Sequence, residues 1–262
     1  MPYDTLTVQT DPRGVTHLQL NLPDTRNALS GQMIADLTDF ARGVDAGGKS
    51  RVIVLGGAGQ VFCAGGDLGW MRAQIDGDRA SRMGAARDLA MMLKALNELP
   101  VPLIGKLHGG AYGGGVGLAC VCDVAVAAAT TKFGLTETRL GLIPATISPY
   151  VMARLGEGHA RRVFMSARIF DAAEAARLGV IARAVPAADL DDAIAAEITP
   201  YMNTAPHAVA ASKALARALG PVIDDAVIDS TIARLADTWE GQEAAKGIDA
   251  FLNKTTPDWR AP

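Results

Sequence analysis

The sequence predicts an α/β fold, and three observations carry that prediction. Apolar, strand-like runs alternate with helix-period segments through the first half of the chain. Two such runs each lead into a glycine-rich turn, Phe62-Cys63-Ala64-Gly65-Gly66-Asp67-Leu68 and Gly109-Gly110-Ala111-Tyr112-Gly113-Gly114-Gly115-Val116-Gly117. From about residue 146 onward the strand patterns thin out and alanine-rich helical patterns dominate.

In chain order, Leu6 to Gln9 and Val15 to Leu22 flank the turn signal Asp11-Pro12-Arg13-Gly14 and predict a hairpin. Ser30 is placed to cap a helix in which Ile34, Leu37, Ala41 and Val44 recur at helical spacing, ended by Gly47-Gly48. Residues 51–56 predict a strand running into the first glycine segment. Residues 70–80 mix polar and apolar side chains without a period and are expected to form a mobile stretch or partial lid. Ala86, Leu89, Leu93 and Leu96 mark the next helix, stopped by Pro100 and Pro102. The run Pro102 to Leu107 enters the second glycine segment, which is followed by a short helix and a strand from Asp123 to Ala128. Helices are expected over 157–167, 171–178, 189–203, 206–219, 223–238 and 241–252. In the fifth of these, Ile228, Ile232, Leu235 and Trp239 form a stripe suited either to assembly or to packing on the chain's own core.

Composition narrows the function classes. The chain has 262 residues, 49% hydrophobic and 20% charged, enough to bury a sizeable core. Its formal net charge is −3, and no basic block stands out, which disfavours nucleic-acid binding. The start lacks the pattern of a signal peptide, and no apolar run approaches the ~18 residues of a membrane span. Three cysteines and four scattered histidines predict neither a disulfide framework nor a zinc site. A doubly wound dinucleotide fold is disfavoured because no acidic residue ends a following strand at the expected distance.

The glycine segments carry the chemistry. Glycine lets the backbone approach a ligand closely with N–H groups free to point at it. Two such turns can converge on one oxygen and stabilise the charge that develops there. A single carboxylate, Glu137 in Phe133-Gly134-Leu135-Thr136-Glu137, follows the second turn. A carboxylate beside an oxyanion site points to enolate chemistry, provided apolar neighbours such as Leu135, Leu140, Leu142 and Ile143 raise its pKa.

Further segments add to this pattern: Cys122-Asp123-Val124-Ala125-Val126-Ala127, Glu137-Thr138-Arg139-Leu140-Gly141-Leu142-Ile143-Pro144, and Ala175-Ala176-Arg177-Leu178-Gly179-Val180-Ile181. The tail adds Glu240-Gly241-Gln242-Glu243, then Phe251-Leu252 and Pro257-Asp258-Trp259. In their order and spacing the chain resembles the crotonase (enoyl-CoA hydratase/isomerase) superfamily nearly end to end. The resemblance implies a spiral of repeated ββα units over 1–200 and a C-terminal helical trimerisation region over 201–262, building trimers or dimers of trimers. It implies an acyl-CoA thioester as substrate, coenzyme A arriving as part of it, with no separate cofactor or metal, no membrane or nucleic-acid partner, and a cytoplasmic location.

Site residues follow from the same resemblance. It implies Gly66 and Gly114 as the two N–H donors and Glu137 as the acid/base. Cys63 and Ala64 are expected to line the adenine end of the CoA groove through backbone atoms. Gly65, Asp67, Leu68, Tyr112, Gly117, Phe251 and Lys254 are expected around substrate and CoA, with Asp67 chiefly fixing its turn. Gly117 stands where classical hydratases carry a second glutamate, so a Δ3,Δ2-enoyl-CoA isomerase working with one carboxylate stands beside the hydratase. Ala145-Thr146-Ile147-Ser148-Pro149-Tyr150, with Ala64 to Met71, is similar to the branch holding bacterial methylglutaconyl-CoA hydratases of leucine breakdown. That similarity favours a hydratase with a branched substrate such as 3-methylglutaconyl-CoA, and makes Arg72, Arg79 and Arg82 candidates for pairing with a distal carboxylate. A third reading is a CoA-thioester-binding protein without turnover, against which the retained Glu137 weighs. An RNA-binding side role would need a basic helix, and residues 30–46 hold Arg42 alone as a cation.

Overall fold

A computed structural model describes residues 3–259 of the chain. The hairpin forms as expected: β1 (Leu6–Thr10) pairs antiparallel with β2 (Val15–Leu20). Helix α1 (Gly31–Arg42) starts at Ser30, whose hydroxyl accepts from Met33 N–H, and β3 (Val52–Gly57) follows. Next come α2 (Leu68–Asp76), α3 (Arg79–Asn97), β4 (Leu103–Leu107), the short β5 (Gly110–Tyr112) and α4 (Gly114–Val121). Strands β6 (Val124–Ala128) and β7 (Lys132–Gly134) lead into a 3₁₀ turn at Glu137–Leu140 and helix α5 (Ser148–Phe164), which breaks at Gly156. The chain ends with β8 (Ile169–Asp171), α6 (Ala172–Leu178), β9 (Arg183–Val185), α7 (Leu190–Met202), α8 (Pro206–Ala218), α9 (Asp225–Trp239) and α10 (Gln242–Leu252).

The order β1–β2–α1, β3–α2–α3, β4–β5–α4, β6–β7–α5 repeats one theme: strand, then a second extended piece or a turn, then a helix. The first strands build a six-stranded sheet in the order β1-β2-β3-β4-β6-β9, parallel apart from the hairpin. The second strands build a smaller sheet, β5-β7-β8. Strand alternation divides the large sheet into two apolar faces. Ile53, Leu55, Leu103, Leu107 and Ala127 face the main core with α1, α3 and α4. Val52, Val54, Ile104, Val126 and Ala128 face α7 through Leu190, Ile194 and Ile198.

Helix α1 ends at Arg42 with Gly43 as its cap, short of the expected Gly47-Gly48, and the helix expected over 157–167 begins at Ser148. The lid expectation also changes, and the open alternative for the α9 stripe narrows to one. Residues 70–80 are ordered as most of α2 and the start of α3. Asp67 Oδ1 accepts from Trp70 N–H at 3.0 Å and Asp78 Oδ1 from Ser81 N–H at 2.8 Å, so each helix start is capped by a carboxylate. Arg82 then reaches back to the Gln74 and Ile75 carbonyls at 2.6 and 3.1 Å, fastening the two helices together. The stripe on α9 turns inward. Ile228 and Ile232 meet Ala86 and Ala90 of α3, and Trp239 packs with Leu142 and α10. Arg87 and Lys94 on α3 pair with Asp225 and Asp229 along the seam. These pairs are largely exposed, so they fix register more than they add stability.

Candidate active site

The two glycine turns are joined by main chain. Cys63 N–H donates to Gly110 O at 3.1 Å, and Tyr112 N–H donates to Cys63 O at 3.0 Å. On the other side, Leu29 N–H donates to Gly65 O at 2.7 Å and Asp67 N–H to Leu29 O at 3.2 Å. These bonds make parallel bridges Leu29–Gly66 and Cys63–Ala111, which extend the small sheet. Gly65 has φ +93°, and a Cβ there would sit 3.0 Å from Tyr112 O, so only glycine allows this approach. Gly66 N–H lies in the middle of the Leu29 bridge, on the edge that the bridge does not use.

Gly113 performs the second turn with φ +47°, its N–H donating to Gly134 O at 2.9 Å. Its carbonyl accepts from Val116 and Gly117 at 2.9 and 3.2 Å, which opens α4. Gly114 is therefore the first residue of that helix, where N–H groups lack intrahelical partners and the dipole is positive. Among the described residues, neither Gly66 N–H nor Gly114 N–H has a protein acceptor.

Strand β7 supplies Gly134 O to this turn and, three residues on, delivers Glu137. A Cβ on Gly113 would lie 3.0 Å from Glu137 Oε1 and 4.0 Å from Gly65 Cα. The carboxylate and both glycine turns thus meet at one point. Glu137 Oε2 is sealed from solvent and has no hydrogen-bond partner among the described residues. Burial pushes the carboxyl up to about 7, opposed only by its own backbone N–H. A group poised there can both take and return a proton near neutrality.

Several expected residues have other duties. Gly117 is buried beneath Ile147: a Cβ on it would lie 2.7 Å from Ile147 Cγ2 and 3.5 Å from Leu93 Cδ1. The resemblance placed Gly117 around the substrate, whereas Ile147 occupies the face toward which its Cβ would point. Cys63 spends both its backbone N–H and its carbonyl on β5, and Ala64 N–H donates to Arg26 O at 3.0 Å, so of these backbone groups the Ala64 carbonyl is the one without a donor among the described residues. The Cys63 thiol is fully buried and pushed up to about 12 by desolvation, so it is inert. Asp67 fixes its turn by capping α2. Leu68 is exposed at the start of that helix. The Tyr112 ring lies over Gly110 and Gly134, where Cβ atoms would approach it to 2.6 and 3.4 Å. Arg79 is held by Asp237 and Glu240, each at 2.8 Å, and Arg82 lies over Trp239, so neither is a free cation, whereas Arg72 is exposed on α2. Phe251 and Lys254 are exposed at the end of α10, and no hydrogen bond or ion pair among the described residues joins them to the glycine turns.

One residue not singled out from the sequence belongs to the site, and two from the stretch expected to form a partial lid lie over it. Leu29 lies against Gly114, with Cδ1 2.6 Å from where a Cβ would stand, while its backbone holds the Gly66 turn. Trp70 and Met71 lie over Gly66, with Trp70 Cε3 and Met71 Cγ at 3.8 and 3.9 Å from its Cβ position. The signal for Leu29 was faint, a lone leucine just before the Ser30 cap.

A profile described as enoyl-CoA hydratase/isomerase matches residues 10–262. The protein named "Probable enoyl-CoA hydratase echA8" of Mycobacterium tuberculosis is 32% identical over 262 residues, covering 99% of each chain. The enoyl-CoA hydratase ACTT6 of Alternaria alternata is 34% identical over 205 residues, 78% of this chain and 67% of its own. Among solved structures, an enoyl-CoA hydratase from Mycobacterium avium superposes with TM-score 0.83 at 32% identity, covering 99% of this chain and 100% of that one. Pseudomonas aeruginosa AtuE superposes with TM-score 0.80 at 37% identity, covering 98% and 99%. With its two bridged glycine turns and its strand-and-helix spiral, this chain belongs to the enoyl-CoA hydratase/isomerase family of enzymes and has the crotonase fold.

Proposed function

We propose that the protein adds water to the double bond of a 2-enoyl-CoA thioester, or removes it in reverse. The observation that carries this reading is the Glu137 carboxyl, its Oε2 sealed and unpartnered, at the meeting point of two turns whose Gly66 and Gly114 N–H groups have no acceptor among the described residues. The Glu137 carboxylate takes a proton from water as its oxygen bonds to the β-carbon. The electron pair of the double bond moves onto the thioester oxygen, where Gly66 and Gly114 N–H groups stabilise the enolate. Glu137 then returns the proton to the α-carbon, so atoms and charge balance. Each N–H donor is worth ~10²–10³ in rate. A non-catalytic binding role is opposed by the cost of keeping a carboxyl desolvated that binding alone does not need.

The finer reading is a branched acyl group such as 3-methylglutaconyl-CoA, supported by the similarity of residues 145–150 and 64–71 to that branch. The captured state of Arg79 and Arg82 leaves Arg72 as the cation of the original three for a distal carboxylate. A Δ3,Δ2-isomerase is favoured by a different observation: Ile147 occupies the space over Gly117, so Glu137 works without a partner carboxylate from that position. Assembly through the C-terminal helices is supported by α8 and its following turn, where Leu215, Leu219 and Val222 are 61%, 80% and 71% exposed. No helix among the described residues is long and apolar enough to cross a membrane.

Incubating the protein with a panel of straight and branched enoyl-CoA esters, with mass detection, tests the reading. Gain of one water is expected for at least one 2-enoyl ester. Double-bond migration at constant mass would replace the hydratase by the isomerase. Glu137→Gln is expected to lose ~10² or more in turnover while retaining ester affinity.

A further inference from the structure

The turn that presents Glu137 is closed from behind by a helix about a hundred residues later in the chain. Gly141 ends the 3₁₀ turn, and a Cβ on it would lie 2.5 Å from Glu243 O and 2.6 Å from Ala244 N. The reciprocal contact is as close: a Cβ on Gly247 would lie 2.5, 2.7 and 2.8 Å from C, O and Cα of Leu140. Each glycine therefore meets backbone of the other element, which cannot rotate aside as a side chain can. Around this seam Leu142, Trp239, Ala244 and Ile248 are buried together, with Leu140 and Leu252 packed against them. The Glu137 carbonyl is held by Leu142 N–H at 3.1 Å, so the first residue of the turn is tied to the packed one. The charged groups of both elements, Arg139 on the turn and Glu243, Lys246 and Asp249 on α10, are exposed, and none of them is a cause of the Glu137 shift.

We propose that α10 is the positioning element for Glu137, acting through backbone contact of Gly247 with Leu140 and of Gly141 with Glu243 and Ala244. Gly247 is on this view a positioning residue for the reaction, although it touches no reacting atom. The proposal rests on Glu137 as the acid/base. A methyl at residue 247 cannot be accommodated without parting α10 from the turn by about an ångström, and misplacement on that scale costs up to ~10² in rate.

Gly247→Ala in the full chain tests this, with Gly158→Ala as the control because nothing lies within 4 Å of a Cβ there. For Gly247→Ala, kcat is expected to fall roughly ten- to a hundredfold with KM changed by less than about threefold. The protonation midpoint of Glu137, read by carboxyl infrared difference spectra against Glu137→Gln, is expected to move toward acid as water reaches the group. Ile248→Val, which loosens the same seam more gently, is expected to give smaller changes in the same directions and serves if Gly247→Ala does not fold. Wild-type kcat and infrared midpoint in a folded Gly247→Ala, or in Ile248→Val if that is the variant that folds, would overturn the proposal. Full turnover in Glu137→Gln would instead overturn the reading of the site on which it rests.

Discussion

Replacing Glu137 with glutamine should make the protein more stable, and only above a certain pH. The folded chain holds this carboxyl at about 7 because burial desolvates its carboxylate form, whereas the unfolded chain releases the proton near 4.5. Between those two values the folded state carries a proton that the unfolded state has lost, so stability falls as pH rises; above about 7 both states are ionised and the loss is complete. At about 1.4 kcal/mol per pH unit, the gap amounts to about 3 kcal/mol. Glutamine stays neutral throughout and escapes this cost. The melting temperature of Glu137→Gln should therefore differ little from wild type near about pH 5 and exceed it by roughly 6–12 °C above about pH 8. Scanning calorimetry of both proteins across that range, without substrate, measures the difference directly. A difference that stays flat with pH, or favours wild type on the alkaline side, would refute the claim that Glu137 is desolvated. The same substitution abolishes the proposed proton transfer, so stability and activity move in opposite directions.

Other outcomes are checked by simpler measurements. Gly114→Pro removes one donor at the first position of a helix, so activity should fall by ~10² or more. Gly114→Ala, which sets a Cβ at the same 2.6 Å from Leu29 Cδ1 but keeps the N–H, should lose far less and so separates the donor from the contact. Gly117→Glu should lower the denaturant midpoint and lose activity, because its Cβ alone would meet Ile147 Cγ2 at 2.7 Å; Gly117→Glu with Ile147→Ala should recover part of the stability. Leu29→Ala should cost about 2–5 kcal/mol in urea unfolding and lower kcat more than it raises KM, since Leu29 spans both glycine turns.

The sequence was most legible where local chemistry decides structure. The hairpin turn Asp11 to Gly14, the Ser30 cap and the periodic apolar residues of α1 and α3 act within a few neighbours, and these elements form where they were expected, although α1 stops at Arg42 rather than at Gly47-Gly48. The two glycine turns were visible because positive φ and close backbone approach exclude other residues at Gly65 and Gly113. Strands β5, β7, β8 and β9 span only three residues each, too short to show a period. Helix α2 was hidden because polar caps at Asp67 and bonds from Arg82 hold it, rather than an apolar stripe. Ile147 over Gly117, Leu29 against Gly114 and Gly247 against Leu140 are contacts between distant segments, and nothing local to either partner announces them.

The bridges from Leu29 through Gly66 and from Cys63 to Ala111 have one further consequence. Apart from the Leu29 side chain against Gly114 and the Asp67 cap, the Gly66 and Gly114 turns are held by main chain paired with main chain, so their geometry depends little on the other side chains around them. Trp70 and Met71 over Gly66, and Ile147 over Gly117, can therefore be exchanged with little effect on the backbone path of the two turns. Glu137 has no such insulation, since its role resides in a side chain and in the packing behind it. Divergence within this architecture should be free at the walls, and punished at one carboxylate and at the glycines that fit no other residue.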